Sequence, residues 1–308
     1  MNTSNTHWTR TPERSNMLML RIMTWISLRL GRRAGRVVLH GIAGYFLLFS
    51  ASGRRASRAY LNRVLSRPAN WLDMYHHFYS FASTIHDRIY LVNQQFDLFD
   101  IEIQGQELLH DAIDAGAGVF LMGAHFGSFE VIRAIGRQVP GLRVSMAMHE
   151  DNAAKINAML AAINPAAVTD IIGLGYIDAM LKVSERLDEG AVVGMLADRT
   201  LGEDIMLPVD FLGSIAYFPV GPFRMAALLR RPVVFMTGVY LGDNRYRISF
   251  EPLVDFTCIA TGQRGAVVNA AVTRYAALIA QHCCQTPYNW FNFFDFWQVP
   301  VATAHVKS

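Results

Sequence analysis

The chain has 308 residues, 52% of them hydrophobic, with a formal net charge of +3 and three cysteines. That much apolar material excludes a disordered polypeptide and is enough for one large core or two modest ones. Cys258, Cys283 and Cys284 are too few and too unevenly spaced for a disulfide framework or a zinc site, and they fit a reduced, cytosolic face.

The charge is unevenly placed. Residues 1–66 hold eleven Arg, no Lys and a single acid, Glu13, a local net of +10 that leaves −7 for the other 242 residues. Such a segment meets a polyanionic surface: a nucleic acid, an acidic partner or an anionic leaflet. Its first sixteen residues are polar, and the apolar run that follows is broken by Arg and lacks a small-residue cleavage site, so no signal peptide is read there. Two apolar runs follow, 17–30 and 37–51, separated by Arg32, Arg33 and Arg36 and closed by Arg54, Arg55 and Arg58. Each run is short of the roughly 18 to 20 residues that a spanning helix needs. Two buried core helices and a helix pair lying in one leaflet, with Arg reaching the headgroups, both fit this pattern; the all-basic flanks favour the leaflet.

Residues 68–96 are helical in pattern and rich in aromatics. His76, His77 and His86 lie here, but neighbouring His residues point to different helix faces, and no acid or Cys recurs at ligand spacing, so no metal site is expected. After Phe99 the texture changes to alternating strands (100–104, 118–122, 142–148, 168–172, 191–196, 232–240) and helices (106–115, 128–138, 152–163, 177–189, 218–230). This alternation predicts an α/β fold with a mostly parallel central sheet flanked by helices. Residues 246–250 read as a later strand, antiparallel across the Gly242-Asp243-Asn244 turn, and 263–285 as a final helix. The organisation expected is a basic, apolar N-terminal segment (1–66) and an α/β domain (67–308). The closing stretch 287–297 has seven aromatics in eleven residues, suiting a packed lid, a membrane-interface belt or both.

Chemistry concentrates at Gly123-Ala-His125-Phe-Gly127-Ser128-Phe-Glu130, a strand, a glycine turn and a helix start. A helix beginning near Gly127 would carry Glu130 back over the turn, so that His125 and Glu130 could meet beside the unpaired N–H groups of a helix N-terminus. That suits proton transfer next to a developing oxyanion. A structural His bonded to its local loop is the plainer alternative. The G-x-S-x-G, Walker, dinucleotide and H-E-x-x-H signatures are all missing, so no cofactor is expected.

The H-x4-E of His125 and Glu130 resembles the signature of the lysophospholipid acyltransferase superfamily, in particular its lipid A late acyltransferase branch. Met195-Leu-Ala-Asp198-Arg199, Asp210-Phe-Leu-Gly213 and Phe218-Pro-Val-Gly-Pro222 resemble further blocks of that branch in order and spacing, and the C-terminal segment also has a counterpart. Arg54 to Arg63, Trp71 and the run N-W-F-N-F-F-D-F-W look like a sub-branch found with fatty-acid-synthase-like and aryl-polyene gene sets. Two positions depart from the branch. Asp198-Arg199 stands where Asp-Gln is usual, and Met148-His-Glu-Asp-Asn152 stands where an Arg-rich segment is usual, so the acceptor need not carry over.

The resemblance implies a fold like that of glycerol-phosphate acyltransferases, with membrane-associated N-terminal helices. It also implies transfer of an acyl group from acyl carrier protein or acyl-CoA to a hydroxyl or amine of a lipid acceptor, at the cytoplasmic face of the inner membrane. His125 would be the base and Glu130 its orienting acid. Gly127 and Ser128 N–H groups, or Arg199, would meet the oxyanion; Asp198, Arg224 and Asn152 would contact substrate. Ser128 reads as a turn residue rather than a nucleophile. A thioester hydrolase and a non-enzymatic, membrane-docked carrier-protein module remain alternatives. Nucleic-acid binding is the weakest, since the basic segment is apolar between its Arg residues.

Overall fold

The computed structural model describes residues 13–114, 116, 118–131, 143–149, 157, 158, 160, 161, 163, 164, 171–175, 177–199 and 204–298. In chain order these comprise α1 (Glu13–Phe49), α2 (Ala51–Val64), α3 (Trp71–Val92), β1 (Asp100–Gln104), α4 (Glu107–Asp114), β2 (Val119–Gly123), β3 (Val144–His149), β4 (Ile171–Leu174) and α5 (Ile177–Asp188). They continue with β5 (Val192–Leu196), β6 (Met206–Phe211), β7 (Ser214–Pro219), α6 (Gly221–Leu228), β8 (Pro232–Gly242), β9 (Arg245–Asp255) and α7 (Arg264–Gln285).

Seven strands form one sheet in the order β1-β9-β8-β2-β5-β3-β4, parallel throughout except for the β8–β9 pair. The mostly parallel sheet therefore matches the expected architecture. β2 is buried along its whole length and β5 almost so, as strands covered on both faces must be. That is why V-F-L-M-G and V-V-G-M-L are continuous apolar runs rather than alternating ones. From β2 the chain moves on to β3 and β4, returns to β5, then crosses to β8 on the far side of β2. The C-terminal ends of β2 and β5 thus form the crevice where the direction of winding reverses, the usual ligand position in open α/β sheets.

One element differs from expectation. Residues 206–219, read only as motif blocks, form an antiparallel β6–β7 hairpin closed by Leu212 and Gly213, both at positive φ. Consequently Phe218 and Pro219 end a strand, and α6 starts at Gly221 instead of 218. The two N-terminal runs form the expected pair of helices, the two halves of α1, which are separated by a non-helical break at Gly31 (φ 80, ψ 168).

On α1, Gly35, Leu39, Ala43 and Leu47 are buried at a spacing of four, the stripe by which a helix packs on its neighbour, here α3. Arg32 and Arg36, expected to face headgroups, turn inward. Arg32 makes a two-pronged bond to the buried Asp87 at 2.7 and 2.9 Å, and Arg36 bonds the Tyr240 hydroxyl at 2.9 Å and the Asp243 carbonyl at 2.7 Å. Burial disfavours the Asp87 charge, yet the bonds it accepts outweigh that and hold its carboxyl below its ordinary value. α3 begins with a reciprocal capping box between Asn70 and Asp73. Ala43, Leu47, Tyr60 and Leu61 share one core cluster with Phe120, Val193 and Phe235, so side chains from both sides of residue 66 pack together.

Candidate active site

β2 and β5 are parallel neighbours in register, Gly123 beside Leu196. The residues that follow each strand therefore emerge side by side, and this places His125 next to Asp198. The His125 Nδ1 lies 2.7 Å from Asp198 Oδ1, and the His125 backbone N–H donates to Asp198 Oδ2 at 3.2 Å. Asp198 is fully buried while the His125 side chain is 27% exposed. Burial pushes the Asp198 carboxyl up, but the adjacent imidazole, its hydrogen bonds and Arg199 outweigh this, and the net shift is downward. An ionised carboxylate only accepts, so Nδ1 carries the proton, and in the neutral ring the lone pair is then on Nε2. Among the described residues nothing bonds to Nε2.

The turn is held from two sides. Gly127 N–H donates to the Asn289 carbonyl and Ser128 N–H to the Gly238 carbonyl, each at 2.7 Å, while Phe291 N–H donates to the His125 carbonyl at 2.7 Å. Gly127 has φ +65, and a Cβ there would lie 1.9 Å from the Gly238 oxygen. Only glycine permits this approach. The segment 289–292 is thus a strap along the His125 loop, fastened to β8 by the Asn289 amide, which receives Tyr240 N–H at 2.8 Å and donates to Tyr240 O at 3.0 Å. Trp290 is fully buried against Tyr60, Phe211 and Phe296, which places this part of the aromatic stretch in the core.

The geometry corrects three expectations. The carboxylate bonded to His125 is Asp198, contributed by the neighbouring strand, and not Glu130. The helix begins at Phe129, two residues later than Gly127, and Glu130 points into the interior, 3.8 Å from Arg88. The Gly127 and Ser128 N–H groups are already engaged by the Asn289 and Gly238 carbonyls. Asp198 and Arg199 do not pair directly: Asn292 stands between them, donating to Asp198 Oδ2 and accepting from Arg199, both at 3.3 Å. Arg199 also lies over the Phe294 ring at 5.5 Å, and burial draws its guanidinium below its ordinary value with the Asp198 charge opposing. Arg224 is exposed on α6, where the Asp204 carboxylate takes the Gly221 N–H. No contact joins Arg224 to the His125 cluster among the described residues. Asn152 lies outside them.

Asn289 and Asn292 were missed from sequence. Their signal was visible, since two amides inside an otherwise aromatic buried run need partners.

A buried, ionised carboxylate paired with an imidazole whose Nε2 has no bond among the described residues is an arrangement capable of proton transfer. The sequence pattern of bacterial lipid A biosynthesis acyltransferases matches residues 6–298, nearly the whole chain. The chain belongs to this family. As a lipid A biosynthesis acyltransferase family member it is an acyltransferase, using an acyl donor and a lipid acceptor. No curated protein matches it.

Proposed function

We propose that this acyltransferase moves a fatty acyl group from a thioester, on acyl carrier protein or coenzyme A, to a hydroxyl or amine of a membrane lipid or glycolipid, with His125 as general base. The observation that carries this reading is the 2.7 Å bond between the buried Asp198 and the partly exposed His125, whose Nε2 has no bond among the described residues. The acceptor's O–H or N–H gives its proton to Nε2 as the heteroatom attacks the thioester carbonyl carbon. Asp198 holds the tautomer and stabilises the imidazolium without itself being protonated. With the Gly127 and Ser128 N–H groups occupied, the Arg199 guanidinium is the donor for the oxyanion. Collapse breaks the C–S bond, and the imidazolium returns the proton to the leaving thiolate. Glu130, buried beside Arg88, supports the helix that frames the turn; Arg224 and Asn152 contact the acceptor headgroup.

The exposed apolar side of α1 and the basic α2 support a working position on the cytoplasmic face of the inner membrane. The C-terminal run supports the reading of a sub-branch found with fatty-acid-synthase-like gene sets. The test is transfer of labelled acyl groups from acyl carrier protein, and separately from coenzyme A, to a total lipid extract. Wild type is expected to yield a new acylated lipid that His125→Ala does not make. Release of free fatty acid alone, unaffected by added lipid, would overturn the reading in favour of hydrolysis.

A further inference from the structure

We infer that Asn292 is a positioning residue that keeps two opposite charges apart so that each can serve the site. Asp198 and Arg199 are consecutive at the end of β5. A buried carboxylate and a guanidinium so placed gain strongly by pairing with each other. They do not pair: no ion pair within 4.0 Å joins them, although each charge influences the other's ionisation. The Asn292 side chain occupies the gap. It is 1% exposed, and its amide is oriented by both neighbours: the NH2 group donates to Asp198 Oδ2 and the oxygen accepts from Arg199 Nη1, both at 3.3 Å. A neutral amide, with a donor at one end and an acceptor at the other, satisfies both charged groups while cancelling neither.

Two consequences follow. Asp198 Oδ1 stays committed to His125, because Oδ2 is saturated by Asn292 and by the His125 backbone N–H. Arg199 keeps its charge for the crevice, braced among the described residues by an amide oxygen and the Phe294 ring. Asn292 itself is fixed by the backbone, since Phe291 N–H holds the His125 carbonyl and Asn292 N–H bonds Trp290 O at 3.0 Å. The strap therefore does more than close the core. It delivers one amide to the point where the dyad and the oxyanion donor would otherwise neutralise each other. The part concerning Arg199 rests on the acyl-transfer reading; the spacer geometry does not.

The test is a double-mutant cycle between Asp198→Asn and Arg199→Met, measured by urea unfolding, first with Asn292 present and then in the Asn292→Ala background, which opens the gap and removes both bonds. With Asn292 the coupling is expected to be below about three-fold in the unfolding constant; in Asn292→Ala it should exceed about ten-fold, because the charges collapse onto each other. Equal coupling in both backgrounds would overturn the inference, and this reading needs no enzymatic activity. In acyl transfer, Arg199→Met should lower kcat about 100-fold in the wild type. It should lower kcat less than about five-fold in the Asn292→Ala background, or in Asn292→Asp should the alanine variant not fold, since Arg199 is neutralised in either case. Penalties that simply multiply would mark Asn292 as packing alone. A wild type that transfers nothing would sink the acyl-transfer reading while leaving the unfolding cycle to decide the spacer.

Discussion

At the scale of single residues, His125 was legible because a histidine in a glycine turn between a buried strand and a helix is an expensive place for a polar ring without a role. Its partner was not legible from local spacing. Glu130 lies five residues away and Asp198 seventy-three, yet the register of two adjacent parallel strands decides the matter. Whichever residues follow Gly123 and Leu196 must meet. The helix start at Phe129 then carries Glu130 toward Arg88. The proposed N–H oxyanion site failed for a related reason: both amides are spent holding the turn against Asn289 and Gly238. A backbone donor exposed in a one-dimensional reading is often paired by a segment remote in sequence. Asn289 and Asn292, from the far end of the chain, are the clearest examples.

At the scale of elements, the parallel strands were legible because double-sided burial leaves continuous apolar runs. The β6–β7 hairpin was not: its sequence has no Asn-Gly or Asp-Gly signal, and its turn instead uses Leu212 at φ 53 before Gly213. α3 carries three histidines whose roles separate. His86 bonds Ser27 of α1 at 3.0 Å, whereas His77 receives the Ser57 hydroxyl at 2.9 Å and donates Nε2–H to the Trp290 carbonyl at 2.8 Å. His77 therefore ties α2, α3 and the strap together as a neutral ring. Burial, opposed by the Trp290 bond, pulls it from 6.5 down to about 4. Between these values the unfolded chain binds a proton that the folded chain refuses. This share of stability is thus present above pH 6.5 and lost as the pH falls toward 4, by up to about 3 kcal/mol. Urea unfolding across that range should show the loss in wild type and a flatter dependence in His77→Gln; parallel curves would contradict the assignment.

For the whole molecule, the N-terminal region was half legible. Its basic flank was plain, but the inward turn of Arg32 and Arg36 depends on Asp87, Tyr240 and Asp243, which no local pattern announces. What remains outside is apolar and basic. Val37, Tyr45, Leu48 and Phe49 of α1 are exposed, and Arg54 and Arg58 of α2 lie over Trp71 at 5.5 and 6.0 Å. Among the described residues no single helix is long and apolar enough to cross a membrane; Arg29–Phe49 and Ala51–Val64, bent by 94°, pass that test only together. Such a surface suits lying on an anionic leaflet. The protein should sediment with vesicles of phosphatidylglycerol and phosphatidylethanolamine more than with phosphatidylcholine vesicles, and less so at high salt. Leu48→Ser combined with Phe49→Ser should weaken partitioning about ten-fold. Undiminished binding of that variant would place the contact elsewhere.

The central claim is that Asp198, rather than Glu130, orients the base. Its most direct test is the turnover of acyl transfer in Asp198→Asn beside Glu130→Gln, on protein whose folding is checked by circular dichroism. An amide at 198 favours the wrong imidazole tautomer, so Asp198→Asn should lose about 10³- to 10⁴-fold in kcat, while Glu130→Gln, which leaves the His125–Asp198 bond in place, loses far less. Near-normal turnover in Asp198→Asn, with the larger loss in Glu130→Gln, would contradict the account.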